Sequence, residues 1–335
     1  MRGRRGALAQ SGGAGERSTM DRILYFSHDI KEPRGGIGVL YDHVAVLRQN
    51  GFDAFVVHTT PGFRYPFGPP DVPVVDASSN LSVSRNDVLV IPEDLRGAMR
   101  SCRSARCRKV LFCQNHFFVF DGLAPGETWN DFGFSGYLCV SAPIRQAMQD
   151  WFGVAADVVR PGVDPVFFGP ATRCTESPAT IACMPRKGRD TLHLVRGLLA
   201  ADRSTATAGL SWLEIEGMPR EQVASRLRAS RIYVSTSRFE GLGLPPLEAM
   251  AAGCLVVGFA GGGGLDYATP ENGIWVPDDE AWSLAVALKE TIAGLADPQR
   301  LPALEAKGLA GHATALAYSH ARFERDLIAF WTARR

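Results

Sequence analysis

The chain has almost no net charge. Its 36 Lys+Arg against 35 Asp+Glu leave +1 at pH 7, so no bulk field argues for a nucleic-acid partner. It also lacks a clean hydrophobic span. The longest apolar run, 247–265, carries Glu248 and is rich in glycine, so it reads as helix, strand and loop rather than a membrane crossing. Closely paired cysteines are missing too. The seven cysteines are an odd, scattered set, and Cys102-x4-Cys107 is a poor match to zinc-ligand spacing. Free thiols in a cytosolic protein are the simpler reading. The first nineteen residues are rich in Gly, Arg and Ser but have no apolar h-region, which argues against a secretory signal. They are expected to be a disordered leader or an upstream extension, with Met20 preceding the first strand. No solenoid repeat or low-complexity core is evident.

What is present is two halves with one grammar. At 335 residues the chain suits two ordinary domains. Short apolar runs alternate with helical patterns, the signature of parallel α/β layers. Strand candidates are 22–27, 54–58, 87–91, 109–113 and 136–140, and a helix is expected from near Gly38, with Leu40, Val44 and Leu47 on one face and Gly51 closing it. The second half restarts with a strand at 179–184 and a helix at 189–200, then strands at 211–215, 232–235 and 254–259. Pro165, Pro170 and Pro178 mark 165–178 as a linker. The segment from Ser319 to Arg335 is a helix with Phe323, Leu327 and Phe330 on one apolar face. Two doubly wound halves joined this way place a cleft between the carboxyl ends of two sheets, where ligands of such sheets bind.

One stretch carries most of the chemistry. Glu240 and Glu248 have seven residues between them, Gly-Leu-Gly-Leu-Pro-Pro-Leu, a loop running into a helix that Gly253 suits to end. The orphan amides of that first turn form an anion site. Two carboxylates would repel an anion, so they are better suited to hydroxyls on the same ligand. A molecule with both phosphates and hydroxyls is a nucleotide sugar.

From Val234 to Gly253 the sequence resembles the signature block of retaining glycosyltransferases of the GT-B fold, family GT4. Gly262-Gly263-Gly264-Leu265-Asp266, Asn272-Gly273, the Gly35-Gly36-Ile37-Gly38 turn and Arg160-Pro-Gly162-Val163-Asp164 follow in the family's order. The resemblance covers nearly everything from Met20 onward. It implies two Rossmann-like domains facing a cleft: a leader over 1–19, an acceptor-side domain over 20–165, a donor-binding domain over 166–318, and a final helix, 319–335, crossing back to the first domain.

The resemblance also implies roles. Glu248 would hold the ribose hydroxyls, since a carboxylate accepts two hydroxyl bonds in bidentate fashion; a plain first-turn acid is the bland alternative. Glu240 would lie beside the sugar or diphosphate, with Gly241, Leu242, Gly243 and Leu244 completing that donor loop. Arg186 and Lys187, after the first strand of the second half, would stabilise charge on the leaving diphosphate. Relatives usually separate these two cations, whereas here they are adjacent, and Arg189 could replace one. Gly35 and Gly36 would bring backbone amides to the donor phosphates or the acceptor, and Gly262 and Gly263 would offer amides near the donor sugar. Asp266 stands where relatives more often carry glutamate, which puts its reach to a sugar hydroxyl in doubt. His116 would accept from a sugar hydroxyl or orient the acceptor, a structural histidine being the alternative. The Gln114-Asn115 pair before it is unusual for the wider family, and His28 is a weaker candidate.

Glu240, His116, Arg186 and Lys187 are thus the expected catalytic group. No Asp-x-Asp metal motif stands at the expected place, so no metal and no cofactor is expected beyond the nucleotide diphosphate sugar as donor substrate. The acceptor is an unspecified hydroxyl and no nucleic-acid partner is expected. Arg96, Arg100 and Arg103, with Arg106, Arg108 and Lys109 beyond, read as a solvated basic face or as a peripheral contact with an anionic membrane. The expected location is the cytoplasm, the inner membrane face being the variant that such a contact would bring. The rival readings are a catalytically silent binding protein of the same fold and a GT-B relative with other chemistry, such as a nucleotide-sugar epimerase.

Overall fold

Two all-parallel sheets are built one after the other along the chain. A computed structural model describes residues 20–77, 81–170, 180–202 and 210–335; the leader, 1–19, the linker from 171 to 178 and the first residue of the expected strand at 179–184 lie outside the described residues. The first sheet opens with β1 (Ile23–Phe26), α1 (Gly35–Gln49), β2 (Ala54–His58), β3 (Val74–Asp76) and β4 (Val88–Pro92). After α2 (Arg96–Ser101) come β5 (Arg108–Cys113), α3 (Val119–Gly122), β6 (Gly136–Cys139), α4 (Ala142–Phe152) and β7 (Asp157–Val158). Its strand order is β3-β2-β1-β4-β5-β6-β7. The second sheet uses β8 (Thr180–Cys183), α5 (Arg189–Ala201), β9 (Ser211–Glu214), α6 (Arg220–Arg228), β10 (Ile232–Ser235), α7 (Leu244–Ala251), β11 (Leu255–Phe259) and β12 (Ile274–Val276). Here the order is β12-β11-β10-β8-β9. Helices α8 (Ala281–Leu295), α9 (Leu301–Ala317) and α10 (His320–Thr332) close the chain.

The central strands are buried on both faces, as crossover helices require: all five residues of β4 and of β11 are buried. In each sheet the order reverses once. It does so at β1, flanked by β2 and β4, and again at β8, flanked by β9 and β10. The loops leaving the two flanking strands diverge there and open a crevice at the carboxyl edge.

Several expectations change. Helix α1 starts at Gly35, not near Gly38, with Arg34 extended before it. Gly35 and Gly36 are therefore first-turn residues whose amides point out of the helix end. The linker is not free where it is described: Pro165–Phe167 forms a 3-10 turn, Phe167 is fully buried, and Gly169 N donates to Ala251 O at 3.1 Å. The basic residues do not share one helical face, though Arg96, Arg100, Arg103 and Arg106 are exposed. Helix α2 ends at Ser101, so Arg103 lies beyond it. Arg96 donates to the carbonyls of Phe120, Gly122 and Leu123, and Arg100 pairs with Glu127 at 3.2 Å. Arg108 holds the carbonyl of Arg334, and buried Lys109 holds those of Cys102 and Arg103. These contacts tie loops together. Among the described residues no helix is long and apolar enough to cross a membrane.

The halves are pinned at the chain crossings. Val163 pairs with Ser319, and glycine at 162 is required because a Cβ there would lie 2.6 Å from His320 Cα. Helix α10 lies on the first sheet: Trp331 is fully buried and its Nε1 donates to Tyr25 Oη at 3.0 Å. Asn50 Nδ2 reaches Glu324 at 3.0 Å, and Arg334 pairs with Asp157 at 2.5 Å.

Candidate active site

Each site element follows from local chain chemistry. Strand β10 ends at Ser235, and the loop after it turns through Gly243, whose φ of 84° lies in the left-handed region that suits glycine. Pro245 and Pro246 then open α7, where their missing N–H groups leave no bond unmade. The amides of Leu242 and Gly243 take no hydrogen bond within the described residues. They are free donors beside Glu240 and just ahead of Glu248.

Glu248 stands in the first turns of α7, half-buried, and its carboxylate has no hydrogen-bond partner among the described residues. Burial pushes its pKa up to about 7, and the Asp164 charge adds to this while Arg220 opposes it. Arg220 is held by Asp164 at 2.7 Å and by Asp42 of α1 at 3.4 Å. Glu240 differs sharply. Its Oε2 receives Lys187 Nζ at 2.8 Å, its Oε1 receives Ser237 Oγ at 2.5 Å, and its backbone pairs with Gly261 and Gly263. Lys187 and Arg186 sit in a 3-10 turn directly after β8, so the Lys187–Glu240 pair occupies the crevice between β8 and β10. The turn lets adjacent cations diverge. Lys187 goes to Glu240, and Arg186 has no hydrogen bond or ion pair among the described residues. Partial desolvation, then the nearby Arg34 cation, pull the Arg186 pKa below its ordinary value, as expected of a cation without a counter-anion.

The first half closes over this loop. His116 follows β5 in a 3-10 turn, 116–118, capped by Asn115, whose Oδ1 accepts from Phe117 N at 3.1 Å. Asn115 Nδ2 donates to Phe239 O at 3.0 Å across the cleft, and Ser141 Oγ donates to Gly241 O at 2.6 Å. A Cβ on Gly241 would lie 1.7 Å from Gln114 O, so only glycine allows this approach. His116 Nδ1 is buried without a partner, and desolvation lowers its pKa, which keeps the ring neutral at pH 7. On the other side, a Cβ on Gly36 would meet the Gln114 side chain at 3.4 Å, while Gly35 faces open space. Gly35, Gly36, His116, Arg186, Lys187, Glu240 and Glu248 therefore flank one cleft.

Two expected roles are overturned, those of Gly262 and Gly263, and Asp266, whose reach to a sugar was in doubt, is held elsewhere. The Gly262 amide is already held by Asp278 at 3.1 Å, and the Gly263 amide by the Glu240 and Gly261 carbonyls. These glycines serve close packing: a Cβ on Gly263 would lie 2.2 Å from Gly241 C, and one on Gly262 would lie 2.8 Å from Phe117. Asp266 does not face a sugar. Its carboxylate is saturated by Arg160 at 2.5 and 3.0 Å, Ala142 N at 2.8 Å and Tyr318 Oη at 2.8 Å, so it pins the two halves together.

Sequence reasoning passed over Glu93. It is buried at the end of β4 and accepts the amides of Gln114 and Asn115 at 2.9 and 2.6 Å, fixing the loop that presents His116. An acid pair directly after an apolar strand, Pro92-Glu93-Asp94, was the available signal.

Comparison with known proteins bears on the fold and the enzyme class. A family model described as Glycosyl transferases group 1 matches residues 214–301, the stretch that holds Glu240 and Glu248. The chain is 27% identical over 251 residues to an alpha-1,6-glucosyltransferase of Actinobacillus pleuropneumoniae serotype 7, covering 73% of this chain and 74% of that protein. The chain is a GT-B glycosyltransferase. The fold is similar to that of sucrose-phosphate synthase from Thermosynechococcus elongatus, with TM-score 0.68 and 14% identity over 93% of this chain and 98% of that one. It is also similar to Anabaena HepE, whose structure was determined with UDP-glucose: TM-score 0.67 and 13% identity, over 93% and 99% of the two chains. Both sheets of this glycosyltransferase thus fall within the aligned region.

Proposed function

We propose that this glycosyltransferase belongs to family GT4 and transfers glucose from UDP-glucose to an acceptor hydroxyl, with retention of configuration and without a metal. The observation that carries the reading is the Glu248 carboxylate: half-buried, unpartnered, and next to the free amides of Leu242 and Gly243. A buried carboxylate without hydrogen bonds is costly in the free protein, and two ribose hydroxyls would satisfy it. Arg186 and Lys187 then meet the diphosphate. Uridine and glucose come from what is bound in HepE and from the relative's glucosyltransferase activity.

Glu240 is poorly suited to attack the sugar, because both its oxygens are already engaged by Lys187 and Ser237. That favours front-side transfer. The bond from the anomeric carbon to the diphosphate oxygen breaks, the acceptor oxygen bonds on the same face, and the acceptor proton passes to the departing diphosphate. Arg186 and Lys187 stabilise the charge that develops there, a role that a divalent cation fills in other transferases. Neutral His116, held beside the Glu240 loop, accepts from a hydroxyl of the transferred sugar.

A thermal-shift panel of nucleoside diphosphates tests the donor reading, since a ligand that binds only the folded state raises its melting temperature. UDP should stabilise the protein and Glu248→Ala should abolish that effect. Turnover that persists in EDTA supports metal independence, and turnover lost in EDTA but restored by a divalent cation contradicts it.

A further inference from the structure

Asn115 stands where the two halves of the candidate site meet. Its backbone leaves β5 extended, with φ −155° and ψ 107°, and its N–H donates to the buried Glu93 carboxylate at 2.6 Å. The side chain then makes two bonds at once. Oδ1 accepts from Phe117 N at 3.1 Å and caps the turn that carries His116, while Nδ2 donates to Phe239 O at 3.0 Å across the cleft. Both partners are backbone groups of fixed polarity, so the amide fits only one way round. Among the described residues this is the one side-chain hydrogen bond from residues 114–118 to the donor loop.

The two ends of the bridge are not equally firm. The gripped peptide leads into Glu240, whose N–H donates to Gly261 O at 2.8 Å and whose carbonyl accepts from Gly263 N at 2.9 Å. The Glu240 carboxylate is held by Lys187 and Ser237. The donor loop is thus fixed from within its own half and serves as the anchor. Glu93 fixes only the backbone ahead of the His116 turn, at Gln114 and Asn115. Beyond that point the His116 ring lies on Phe117, with centroids 4.1 Å apart, and Phe117 meets Phe239 edge-on at 5.1 Å. A cap alone does not call for asparagine, since aspartate or serine would accept from Phe117 N as well. The bridge needs a donor too, and of the good capping residues asparagine carries acceptor and donor on separate atoms.

We propose that Asn115 is a positioning residue for the transfer, holding His116 in register with the Glu240 loop so that the histidine is placed only when the donor loop is docked against it. The proposal rests on the glycosyl-transfer reading above. Asn115 acts through His116, and no bond to it is made or broken.

The test uses Asn115→Ser, which keeps a capping acceptor and loses the bridge, and Asn115→Asp, which keeps the cap but turns a carboxylate toward the Phe239 carbonyl. UDP release from UDP-glucose, with water as acceptor, is measured for the full chain with and without His116→Ala, and UDP affinity by calorimetry. Asn115→Ser should lower kcat about tenfold, and Asn115→Asp further, with UDP affinity kept within about threefold. In the His116→Ala background Asn115→Ser should cost less than about twofold, because its effect passes through the histidine. Histidine NMR reads the same link without a donor. The His116 signal, assigned by its loss in His116→Ala, titrates below the ordinary imidazole value in wild type because burial disfavours the charged ring. In Asn115→Ser it should move back toward 6.5 as water reaches the ring. An unmoved His116 titration overturns the proposal, as does an equal loss of kcat with and without His116, or UDP affinity that falls with kcat. A His116→Ala protein as active as wild type overturns it too. A signal that moves in a protein that releases no UDP from UDP-glucose upholds the link between the loops and overturns the donor reading instead.

Discussion

Replacing Glu248 by glutamine separates what this residue costs the free protein from what it gives the complex. Its pKa stands at about 7 against an ordinary 4.5, with burial as the main cause. A displacement of that size means the charged form is disfavoured in the folded state by roughly 3 kcal/mol, an upper bound for a side chain only half-buried. The sign follows from proton counting. Between pH 4.5 and 7 the folded protein holds a proton that the unfolded chain has released, so this group's contribution to stability declines as pH rises through that window. Glutamine cannot ionise. Glu248→Gln should therefore melt at a higher temperature than wild type at pH 8, by a few degrees for about 1–2 kcal/mol, with the gain vanishing near pH 4.5. In the complex the order reverses. The carboxylate accepts ribose hydroxyls best when charged, so UDP binding should expel the proton, and wild-type affinity should rise from pH 6 to 8 relative to the variant, which cancels titration of UDP itself. At pH 8 the variant should bind UDP about ten- to a hundredfold more weakly, the range for bonds to a charged acceptor. Scanning calorimetry and titration calorimetry on the same two proteins decide it. A variant no more stable at pH 8 whose UDP affinity matches wild type refutes the reasoning.

Arg186→Ala with Lys187→Ala should lower kcat by about a hundredfold or more, since both stabilise charge on the leaving group, and near-normal turnover in steady-state kinetics would end that assignment. Asp266→Asn leaves Arg160 and Tyr318 facing a neutral amide; chemical denaturation should show about 3–5 kcal/mol lost, the scale for breaking a buried ion pair, with UDP affinity retained by any protein that still folds. Because its partners hold the Asp266 pKa below 3.8, that stability is present above pH 3.8 and is lost as pH falls through the depressed value. Gly241→Ala places a Cβ 1.7 Å from Gln114 O and should force the His116 loop off the donor loop, lowering kcat far more than it lowers UDP affinity; unchanged kcat would mean that this contact does not matter.

The central strands were legible because they are buried on both faces and read as unbroken apolar runs, so β2 and β10 are found where their residues suggest. The three-residue edge strands, Val74–Asp76 and Ile274–Val276, were not, since they pair on one side only and include half-exposed positions. At the site, glycine identity was readable at Gly262 and Gly263 but its reason was not. The amides there are spent on Asp278 and Glu240, and what demands glycine is the approach of Gly241 and Phe117. Asp266 stood out as an acid, yet its fate is decided by Arg160, far away in sequence. The same holds for Asp94 and His28, which only the strand order brings together. Local chemistry was visible along the chain; partners contributed by a different strand or by the other half were not.

The central claim, retaining transfer from UDP-glucose, is tested most directly by following UDP-glucose and a sugar acceptor with the full chain by proton NMR. The account predicts UDP release matched by a new α-glucosidic anomeric signal, absent with the Arg186→Ala, Lys187→Ala protein. A β-glucosidic product, or bound UDP-glucose that is never turned over, would contradict it.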